Sequence, residues 1–587
     1  LVLLLSTLIL ACTKAPAPAP ASAATSLPVA TVFVAGEILT MDSDNSSVTA
    51  VAVKDGHILA VGDLSTLKAT LTDHELLVDK TLAGKVIMPG FIDNHLHPAL
   101  AGLLLPSQFI TPWAWDLPNQ IVEGVQGRNN YLDRLRVLHE SMTDPEEFLV
   151  TWGYHQYFHG EINRTDINTI SSTRPIIVWH RSFHEIYVND AALVKLGITE
   201  QQVAGNPMIN LTEGHFWEIG LSSIFPNLQS LILNPQRFQE GIYVGLEHAR
   251  RNGITTLADQ GIPLLNLELE MAHLETVLKD NDLPLRMLLI GNAKSLGIRG
   301  NQEGLKTIAA LPERDNRWLR YLPKQVKLLA DGAFYSQLMQ MDDGYLDGHH
   351  GEWIMTPEEL MSAARVYWRE DYQLHIHVNG DAGLNVVLDV VRQLQAEYPR
   401  ENHQTILHHF GYSTEVQNQQ VARLGIGVSA NPFYLWALGD KYSEIGLGAE
   451  RAQYITRLGS LERLGVPISF HSDLPMAPAA PLTLAAIAAS RRTAENNVLA
   501  PSEKVSVETS LRAITIEAAR AIQQQDSIGS IEVGKFADFT VLEENPYDVE
   551  PETMRDIEIW GTVLGGRVYP RSAPTGAVSP PHNSRDD

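Results

Sequence analysis

The sequence predicts an α/β protein in which a (β/α)8 barrel is joined to a small β-sandwich formed from both chain ends. The middle of the chain alternates short apolar runs with stretches of helical periodicity, the pattern of a parallel sheet covered by helices. Eight such runs can be identified, and eight is the strand number of this barrel. Both chain ends instead carry short alternating segments separated by turn residues, as antiparallel hairpins do.

The predicted barrel strands are short apolar runs, several of which end in polar residues. They span residues 85–97, 253–260, 284–291, 324–332, 373–380, 404–411, 425–431 and 467–473. Helical stretches such as NLELEMAHLETVLKD lie between them. Residues from about 101 to 250 do not follow this rhythm and contain apolar runs of their own. We therefore predict a barrel over 87–527 with a large insertion after its first strand.

The remaining segments complete the predicted domain organisation. Residues 28–86 and 528–572 have the alternation and turns of short strands, and we expect them to meet in one composite β-sandwich. Residues 573–587 are expected to form a disordered tail, and residues 13–27 a Pro/Ala-rich linker without a core-forming pattern.

The first 12 residues indicate an export signal. Residues 1–11, LVLLLSTLILA, are apolar but too short to span about 30 Å of hydrocarbon as a free-standing helix. The run ends at Cys12, the only cysteine of the chain, so no intrachain disulfide can form. This arrangement resembles a bacterial lipoprotein signal of the outer-membrane-sorted kind, which implies lipidation of Cys12 and an extracytoplasmic location. The alternative is a secreted or periplasmic protein without lipid.

The charge balance limits the classes of partner. Lys and Arg number 44 and Asp and Glu 69, giving a formal net charge of −25. Because phosphate-rich surfaces are bound by clustered Lys and Arg, this composition argues against nucleic acid and anionic membranes as partners. We expect a small-molecule substrate and membrane contact only through a lipid anchor. The oligomeric state is left open, with a homodimer as one alternative.

Polar residues that can bind a metal lie at the ends of the predicted barrel strands. His95 and His97 close the first strand, and residues two apart on a strand face the same side. Such a pair alone is a weak signal, because single histidines are often hydrogen-bonded core residues. Lys327 lies within an apolar strand, where its charge is costly unless it is paired or chemically removed; a snorkelling edge lysine is the alternative. Further strand ends carry His377, His408–His409 and Asp473.

These residues and several longer phrases resemble the amidohydrolase superfamily, and within it amidohydrolase family 3, which includes N-substituted formamide deformylases. The phrases are GKVIMPGFIDNHLH, VKLLADGAF, HIHVNGDAG, TILHHFGYSTEVQ, SLERLGVPISFHSDLPMAP and GSIEVGKFADFTVLEENP. The resemblance covers most of the chain after the export segment. It implies a barrel enzyme that hydrolyses C–N bonds with one or two divalent metal ions, Zn²⁺ by default.

The resemblance also implies a role for each matching residue. His95 and His97 would bind one metal, and His377 and His409 a second. Lys327 would carry a CO₂-derived carbamate that bridges the two. His409 fits the family phrase better than His408, which stands where the family has glutamate.

Asp473 would be the general base, accepting a proton from metal-activated water and passing it to the leaving amine, and it is a further candidate metal ligand. Asn379 departs from the family, which commonly has an apolar residue there.

Substrate-binding candidates come from the insertion. RSFHEIYVNDAAL resembles a family phrase and suggests His184 and Asn189, and EGHFWEIG suggests Glu218. Aromatic and histidine residues near a predicted pocket mouth suggest an apolar or aromatic substrate: Trp113, Trp115, Trp152, His155 and His159. For each of these residues, ordinary loop packing is an equally good explanation.

Three functional hypotheses follow. The first is a metal-dependent hydrolase of a non-peptide C–N bond in an amide, formamide or cyclic amide. The second keeps the metals but changes the bond, as in an esterase or lactonase of the same superfamily, because a fold does not determine a reaction. The third is a non-catalytic lipoprotein that binds a metal or solute. Lys327 and Asp473 speak against the third, because metal binding alone needs no general base.

Overall fold

The computed structural model describes residues 27–571. The predicted signal segment with Cys12, residues 13–26 of the predicted linker and the predicted tail lie outside these residues. Between residues 27 and 571, no helix is both long and apolar enough to cross a membrane.

A parallel sheet of eight strands forms the centre of the fold. Its strands, numbered here in chain order, are β1 Phe91–Leu96, β2 Ile254–Ile262, β3 Arg286–Asn292, β4 Leu319–Leu329, β5 Gln373–Val378, β6 Ile406–His409, β7 Gly427–Ala430 and β8 Ile468–Phe470. Each strand pairs with the next, so that β1 and β8 are the two edges. Just beyond these edges, the Asp473 N–H donates to the His95 carbonyl (3.0 Å) and the His97 N–H to the Leu474 carbonyl (3.1 Å). The sheet is thus a nearly closed barrel, and each predicted strand segment overlaps one of its strands.

Helices cover the outside of the barrel. They comprise Leu267–Asp280, Asn301–Ala310, Pro357–Arg369, Asp381–Glu397, Glu415–Arg423, Phe433–Lys441, Gly459–Arg463, Pro481–Ser490, Val507–Ala513 and Ile516–Ala521. Pro357–Arg369 shows why such segments are helical. Thr356 and Glu359 form a capping box at its start, and its buried residues are spaced three and four apart from Leu360 to Trp368.

The insertion between β1 and β2 folds around a six-stranded sheet. Its strands are Gln108–Phe109, Leu149–Tyr154, Ile176–His180, Glu185–Val188, Ile209–Asn210 and His215–Trp217, and Trp115–Leu117 pairs separately with Gln120–Val122. Its helices are Pro98–Leu104, Arg128–Ser141, Gln156–His159, Arg164–Ile170, Asp190–Leu196, Glu200–Val203 and Ile219–Ile232, and Pro235–Arg251 leads into β2.

Strands from both ends of the described chain hydrogen-bond into one further sheet. They are Val29–Leu39, Ser47–Lys54, His57–Gly62, Glu75–Asp79, Val86–Pro89, Phe539–Leu542, Ile559–Leu564 and Arg567–Pro570. Val86–Pro89 pairs with Phe539–Leu542, which joins the two chain ends. The Thr540 hydroxyl donates to the Gly253 carbonyl (2.6 Å) and accepts from the Phe91 N–H (2.9 Å). Because Phe91 and Gly253 lie at the starts of β1 and β2, this sheet packs against the amino end of the barrel.

Candidate metal centre

The carboxyl end of the barrel brings imidazole and carboxylate groups together. The Asp473 Oδ1 atom lies 3.2 Å from His97 Nε2 and 3.6 Å from His95 Nε2, and these two nitrogens are 3.3 Å apart. Asp473 Oδ2 lies 3.8 Å from His409 Nδ1. One carboxylate therefore contacts histidines from two different strands, which is the arrangement expected where β1, β6 and β8 end together.

Two groups of side chains at this end could each hold a metal ion. One consists of His95, His97 and Asp473, and the other of His95, His409 and His471; within each group the potential ligand atoms lie within 4.8 Å of one another. Imidazole nitrogen with carboxylate oxygen is a donor set typical of Zn²⁺. His409, and not the neighbouring His408, belongs to such a group among the described residues.

Two members of this centre were not identified from the sequence. His471 lies in the FHSD phrase two residues before Asp473, and its Nε2 lies 3.2 Å from His409 Nδ1. Asp259, near the end of β2, lies 3.4 Å from His97 Nδ1. The signal was present in both cases, because each is a polar residue at the end of a predicted barrel strand. The family resemblance does not distinguish these two residues, because it assigns no role to either position.

Lys327 on β4 has an unusual environment for a lysine. It is buried, and its Nζ atom has no hydrogen-bond partner within residues 27–571. Burial lowers its pKa to about 7, with Asp473 acting in the opposite direction. Its charge also helps to lower the pKa values of the surrounding histidines, which places it at the centre of the cluster: His95, His375, His377, His408, His409 and His471.

His377 lies beside His409, with ring centroids 4.3 Å apart. The Asn379 side-chain amide lies 3.1 Å from His377 Nε2 and donates to the Gly332 carbonyl (3.1 Å). The residue that departs from the family pattern thus contacts a predicted ligand. His377 is not in either three-residue group, but its ring contact with His409 brings it to the same centre.

The charge of His97 depends on two carboxylates. Burial lowers its pKa, but Asp259 and Asp473 more than offset this effect and raise the pKa to about 9. At neutral pH, His97 therefore holds a proton between these carboxylates. A metal ion bound through His97 has to displace that proton, so protons and cation compete for the same position.

The backbone is strained at several of the same residues. His409 (φ 75°), Asp473 (φ 58°) and Glu218 (φ 44°) have left-handed conformations that non-glycine residues rarely adopt. Such conformations cost on the order of 1–3 kcal/mol each and persist only where the surrounding structure enforces them. His409 and Asp473 lie at the carboxyl end of the barrel, where enforced backbone strain is typical of a functional site, and Glu218 lies in the insertion.

A chain of hydrogen bonds runs from His95 into the barrel interior. His95 Nδ1 lies 2.8 Å from His408 Nδ1, and His408 Nε2 lies 2.9 Å from His375 Nδ1. His375 Nε2 lies 3.0 Å from Gln325 Oε1, and the Gln325 amide nitrogen donates to the Ile522 carbonyl (2.9 Å). Burial is the largest cause of a lowered pKa in all three histidines, so each imidazole is neutral.

The direction of this chain determines which nitrogen of His95 is free. The Gln325 amide nitrogen donates to a carbonyl, so the side-chain oxygen Oε1 of Gln325 is the atom that faces His375. This oxygen can only accept a hydrogen bond, and His375 Nε2 must therefore be the donor. His375 Nδ1 then accepts from His408 Nε2, and His408 Nδ1 accepts from His95 Nδ1. The lone pair of His95 therefore lies on Nε2, the nitrogen nearest His97 and Asp473. His408 thus orients the candidate ligand His95.

The three candidates from the insertion have different environments. His184 Nδ1 lies 2.9 Å from Glu218 Oε1, and both side chains are partly exposed. Burial lowers the pKa of His184, but Glu218, Glu185 and Asp473 together more than offset it, so the net shift is upward. His184 and Glu218 thus form a pair within electrostatic reach of the metal centre.

Asn189 has a structural role instead of the predicted substrate contact. Its amide oxygen accepts from the Ile176 and Ala192 N–H groups (2.9 and 3.0 Å). Its amide nitrogen donates to the Ser171 and Arg174 carbonyls (2.8 and 2.9 Å). All four hydrogen-bonding positions of this amide are therefore occupied by backbone. Asn189 caps the helix Asp190–Leu196 and has no group left for a substrate.

The barrel with its buried cluster of histidines and carboxylates has the architecture of a metal-dependent hydrolase. The model of the amidohydrolase family matches residues 81–570, which is most of the chain. The chain belongs to this family, whose members act on small molecules.

Known relatives agree with this assignment. The chain is 26% identical over 551 residues to the protein LONG AFTER FAR-RED 3 of Arabidopsis thaliana, covering 91% of each chain. It is 24% identical over 559 residues to the N-substituted formamide deformylase of Arthrobacter pascens, covering 90% of this chain and 96% of the relative. The crystal structure of an uncharacterized metal-dependent hydrolase from Pyrococcus horikoshii matches with a TM-score of 0.68 at 21% identity, covering 89% of this chain and 99% of the other.

Proposed function

We propose that this protein hydrolyses a non-peptide C–N bond in an amide, formamide or cyclic amide. The observation that carries the proposal is the position of Asp473. Its carboxylate lies 3.2 Å from His97 Nε2 within a group able to hold a cation, so an acid–base group and the metal ligands share one site. A protein that only bound a metal or solute would not need this combination. The deformylase activity named for the Arthrobacter relative supports the choice of a C–N bond.

The residues of the site suit one or two divalent ions, and we propose Zn²⁺. His95, His97 and Asp473 would hold one ion, and His377 and His409, with His471 beside them, a second. The buried Lys327 Nζ atom, which has no partner in the described chain, is the observation that fits a carbamate. Its neutral amine would attack CO₂, forming an N–C bond and releasing a proton. The side chain would then carry a carboxylate-like anion, which is a suitable ligand for divalent ions.

A bound divalent ion lowers the pKa of water and polarises the carbonyl of the scissile bond. Asp473 accepts the proton of the attacking water and delivers it to the leaving nitrogen, which leaves as a neutral amine. The hydrogen-bond chain through His408 holds the His95 ring in one orientation during this reaction. His184, paired with Glu218 at the partly exposed edge of the site, is positioned to contact the substrate.

Turnover of a substrate panel tests this proposal. The purified protein, reconstituted with Zn²⁺ and bicarbonate, is incubated with N-substituted formamides, N-acyl amines, cyclic amides and the matched esters and lactones. We expect amine release from one of the amide classes at a rate well above that for the ester of the same acyl group. Faster turnover of esters would favour the esterase alternative. No turnover of any compound by the metal-loaded protein would contradict the proposal.

We further propose that the protein is a lipoprotein anchored outside the cytoplasm through Cys12. The support is the apolar run of residues 1–11 directly before the single cysteine. Expression of the full chain in a bacterial host, followed by mass spectrometry of the amino terminus, should detect a diacylglyceryl group on Cys12. The Cys12→Ala chain should leave the membrane fraction. Membrane association unchanged by this substitution would contradict lipidation.

A further inference from the structure

Arg181 is a fully buried cation without a counter-ion. It follows the insertion strand Ile176–His180, and its exposed fraction is 0%. No carboxylate in residues 27–571 forms an ion pair with it, and of its guanidinium nitrogens only Nη2 has a hydrogen-bond partner, the Met476 carbonyl at 2.9 Å. Burying a guanidinium in this way is costly, since both its charge and its N–H groups lose water.

Other buried arginines of the described chain do not share this deficit. Arg491 donates to the carbonyls of Leu499, Thr456, Gln453 and Ile455. Arg174, in the same insertion as Arg181, donates to His139 and to three backbone carbonyls. The fold thus supplies acceptors where a buried guanidinium is purely structural, and it does not do so around Arg181.

The surroundings of Arg181 consist of aromatic rings that add further unpartnered donors. Its guanidinium carbon lies 5.1–5.7 Å from four ring centroids, those of Trp113, Trp115, Trp152 and Tyr335. Cation–π attraction to these rings offsets part of the burial cost. The Tyr335 hydroxyl and the Trp152 indole N–H are also buried without a hydrogen-bond partner. The hydroxyl lies close enough to the guanidinium to lower the Tyr335 pKa against the larger, opposite effect of burial, but no contact between the two side chains has hydrogen-bond geometry. Buried donors therefore collect here without acceptors.

Two short connections join this cluster to the metal centre. The Met476 carbonyl that holds Arg181 belongs to the turn that begins at Asp473, closed by the Met476 N–H donating to the Asp473 carbonyl (2.7 Å). On the other side, the Tyr335 ring packs against Tyr434 at 5.5 Å between centroids. The Tyr434 hydroxyl lies 3.3 Å from His409 Nδ1. Arg181 is thus one layer of residues away from the candidate base and a candidate ligand.

We propose that Arg181 and the Tyr335 hydroxyl form a subsite that binds a carboxylate carried by the substrate near its scissile C–N bond. A carboxylate accepts two parallel N–H bonds from one edge of a guanidinium, here from an unpartnered nitrogen, Nε or Nη1, together with the second N–H of Nη2. The tryptophans around the guanidinium provide an apolar wall for the part of the substrate next to that carboxylate. This inference rests on the proposed function and narrows its substrate class to N-acyl or N-formyl compounds that bear a carboxylate.

A pair of ligands that differ in one charge tests the binding step without hydrolysis. Sodium phenylacetate and 2-phenylethanol are titrated into the zinc-loaded protein, and tryptophan fluorescence reports binding because three tryptophans surround the subsite. We expect phenylacetate to bind at least tenfold more tightly than the alcohol. Arg181→Met should abolish this preference, Arg181→Lys should retain part of it, and Tyr335→Phe should weaken it severalfold. Arg174→Met, which removes a fully partnered buried arginine, should lower thermal stability and leave the preference unchanged.

Kinetics with N-formylphenylalaninate and its uncharged amide provide the second measurement. The wild type should show a higher kcat/KM for the carboxylate substrate, with most of the difference in KM, and Arg181→Met should equalise the two. Equal binding of both probes by the wild type would overturn the inference. A preference that persists in Arg181→Met would also overturn it, because the carboxylate would then be bound by the metal alone. If Arg181→Met does not fold, the carboxylate preference of Arg181→Lys and Tyr335→Phe tests the inference, and a preference equal to that of the wild type in both variants would overturn it. Failure of the proposed function can be distinguished from failure of this inference. If the protein hydrolyses none of the compounds, the binding comparison of phenylacetate and 2-phenylethanol still tests the carboxylate subsite.

Discussion

At the amino end of the barrel, Asp538 and Gln325 are buried side chains that protein partners hold in place, whereas at the carboxyl end two buried cations have nitrogens without a partner in the described chain. Asp538 binds Arg286 and the Gly565 N–H at the amino end, and the Gln325 amide is held by the Ile522 carbonyl. At the carboxyl end, Lys327 and Arg181 are buried cations with unpartnered nitrogens. The side chains with protein partners stabilise the fold at one end of the barrel, and those without partners are available to bind a ligand at the other. Only groups that the fold leaves unpartnered are free to bind something else.

The largest expected effect on activity comes from replacing one aspartate at each end of the barrel with asparagine. Asp473→Asn should lower kcat by about 10³-fold, because proton transfer by a positioned side chain is worth roughly 10²–10⁴-fold. Asp538→Asn should change kcat less than twofold and lower the melting temperature, because it weakens the contact with Arg286. Rates at saturating substrate, metal content and thermal unfolding are measured for both. Similar kcat values for the two variants would mean that Asp473 has no acid–base role.

Two lysines of β4 provide the second comparison. Lys327→Met should lose most of the bound metal, and with it activity, because the site loses the group that would become a carbamate. Lys324→Met is the matched control, since Lys324 donates to the Glu370 carbonyl at an exposed position. Mass spectrometry of bound metal distinguishes them. Equal metal content in the two variants would argue against a ligand role for Lys327.

The lowered pKa of Lys327 also predicts a pH dependence for reconstitution. With a pKa of about 7, about nine-tenths of the free amine is neutral at pH 8 and about one-tenth at pH 6. Only the neutral amine attacks CO₂, so recovery of activity with Zn²⁺ should be faster at pH 8 when the dissolved CO₂ concentration is kept the same at both pH values by adjusting the bicarbonate. A recovery rate that is independent of bicarbonate would contradict carbamylation.

The hydrogen-bond chain from His95 predicts a smaller effect at a distance. Losing a direct hydrogen bond to a metal-ligating histidine usually costs about 10–100-fold in metal affinity. Gln325→Leu should weaken zinc binding by less than this, because Gln325 reaches His95 only through His375 and His408. Gln373→Leu is the control, since Gln373 is paired with Gln325 across β4 and β5 but donates to the Gln404 and Ala521 carbonyls. Competition with a chelator measures both affinities, and equal values would show that the chain does not orient His95.

The smallest expected effect concerns Asp259. Because His97 has a pKa raised to about 9, metal affinity should increase with pH until His97 loses its proton. Asp259→Asn removes one of the two carboxylates that raise this pKa, so the increase should shift to lower pH by a fraction of a unit or more. Zinc titrations between about pH 6 and 9 measure the shift. An unchanged profile would indicate that Asp259 does not control the His97 proton.

Much of the site could be predicted from the sequence, because metal ligands in a barrel lie at strand ends and strand ends can be identified from apolar periodicity. His95, His97, His409 and Asp473 are brought together as this logic requires. Asn189 was a poor candidate for a reason that the sequence does not show: its amide is consumed by backbone from three segments. Whether an asparagine is a cap or a substrate contact depends on those neighbours.

The sequence by itself determined the eight barrel strands, the short strands of both chain ends and the residue types that could bind a metal, because these follow from periodicity and the order of strand ends. Only the tertiary structure decided that His471 and Asp259 join the centre, that His408 orients His95, and that Arg181 has no counter-ion between residues 27 and 571. Each of these properties depends on distances between residues far apart in the chain, and on which hydrogen-bonding groups the folded neighbours leave unpaired.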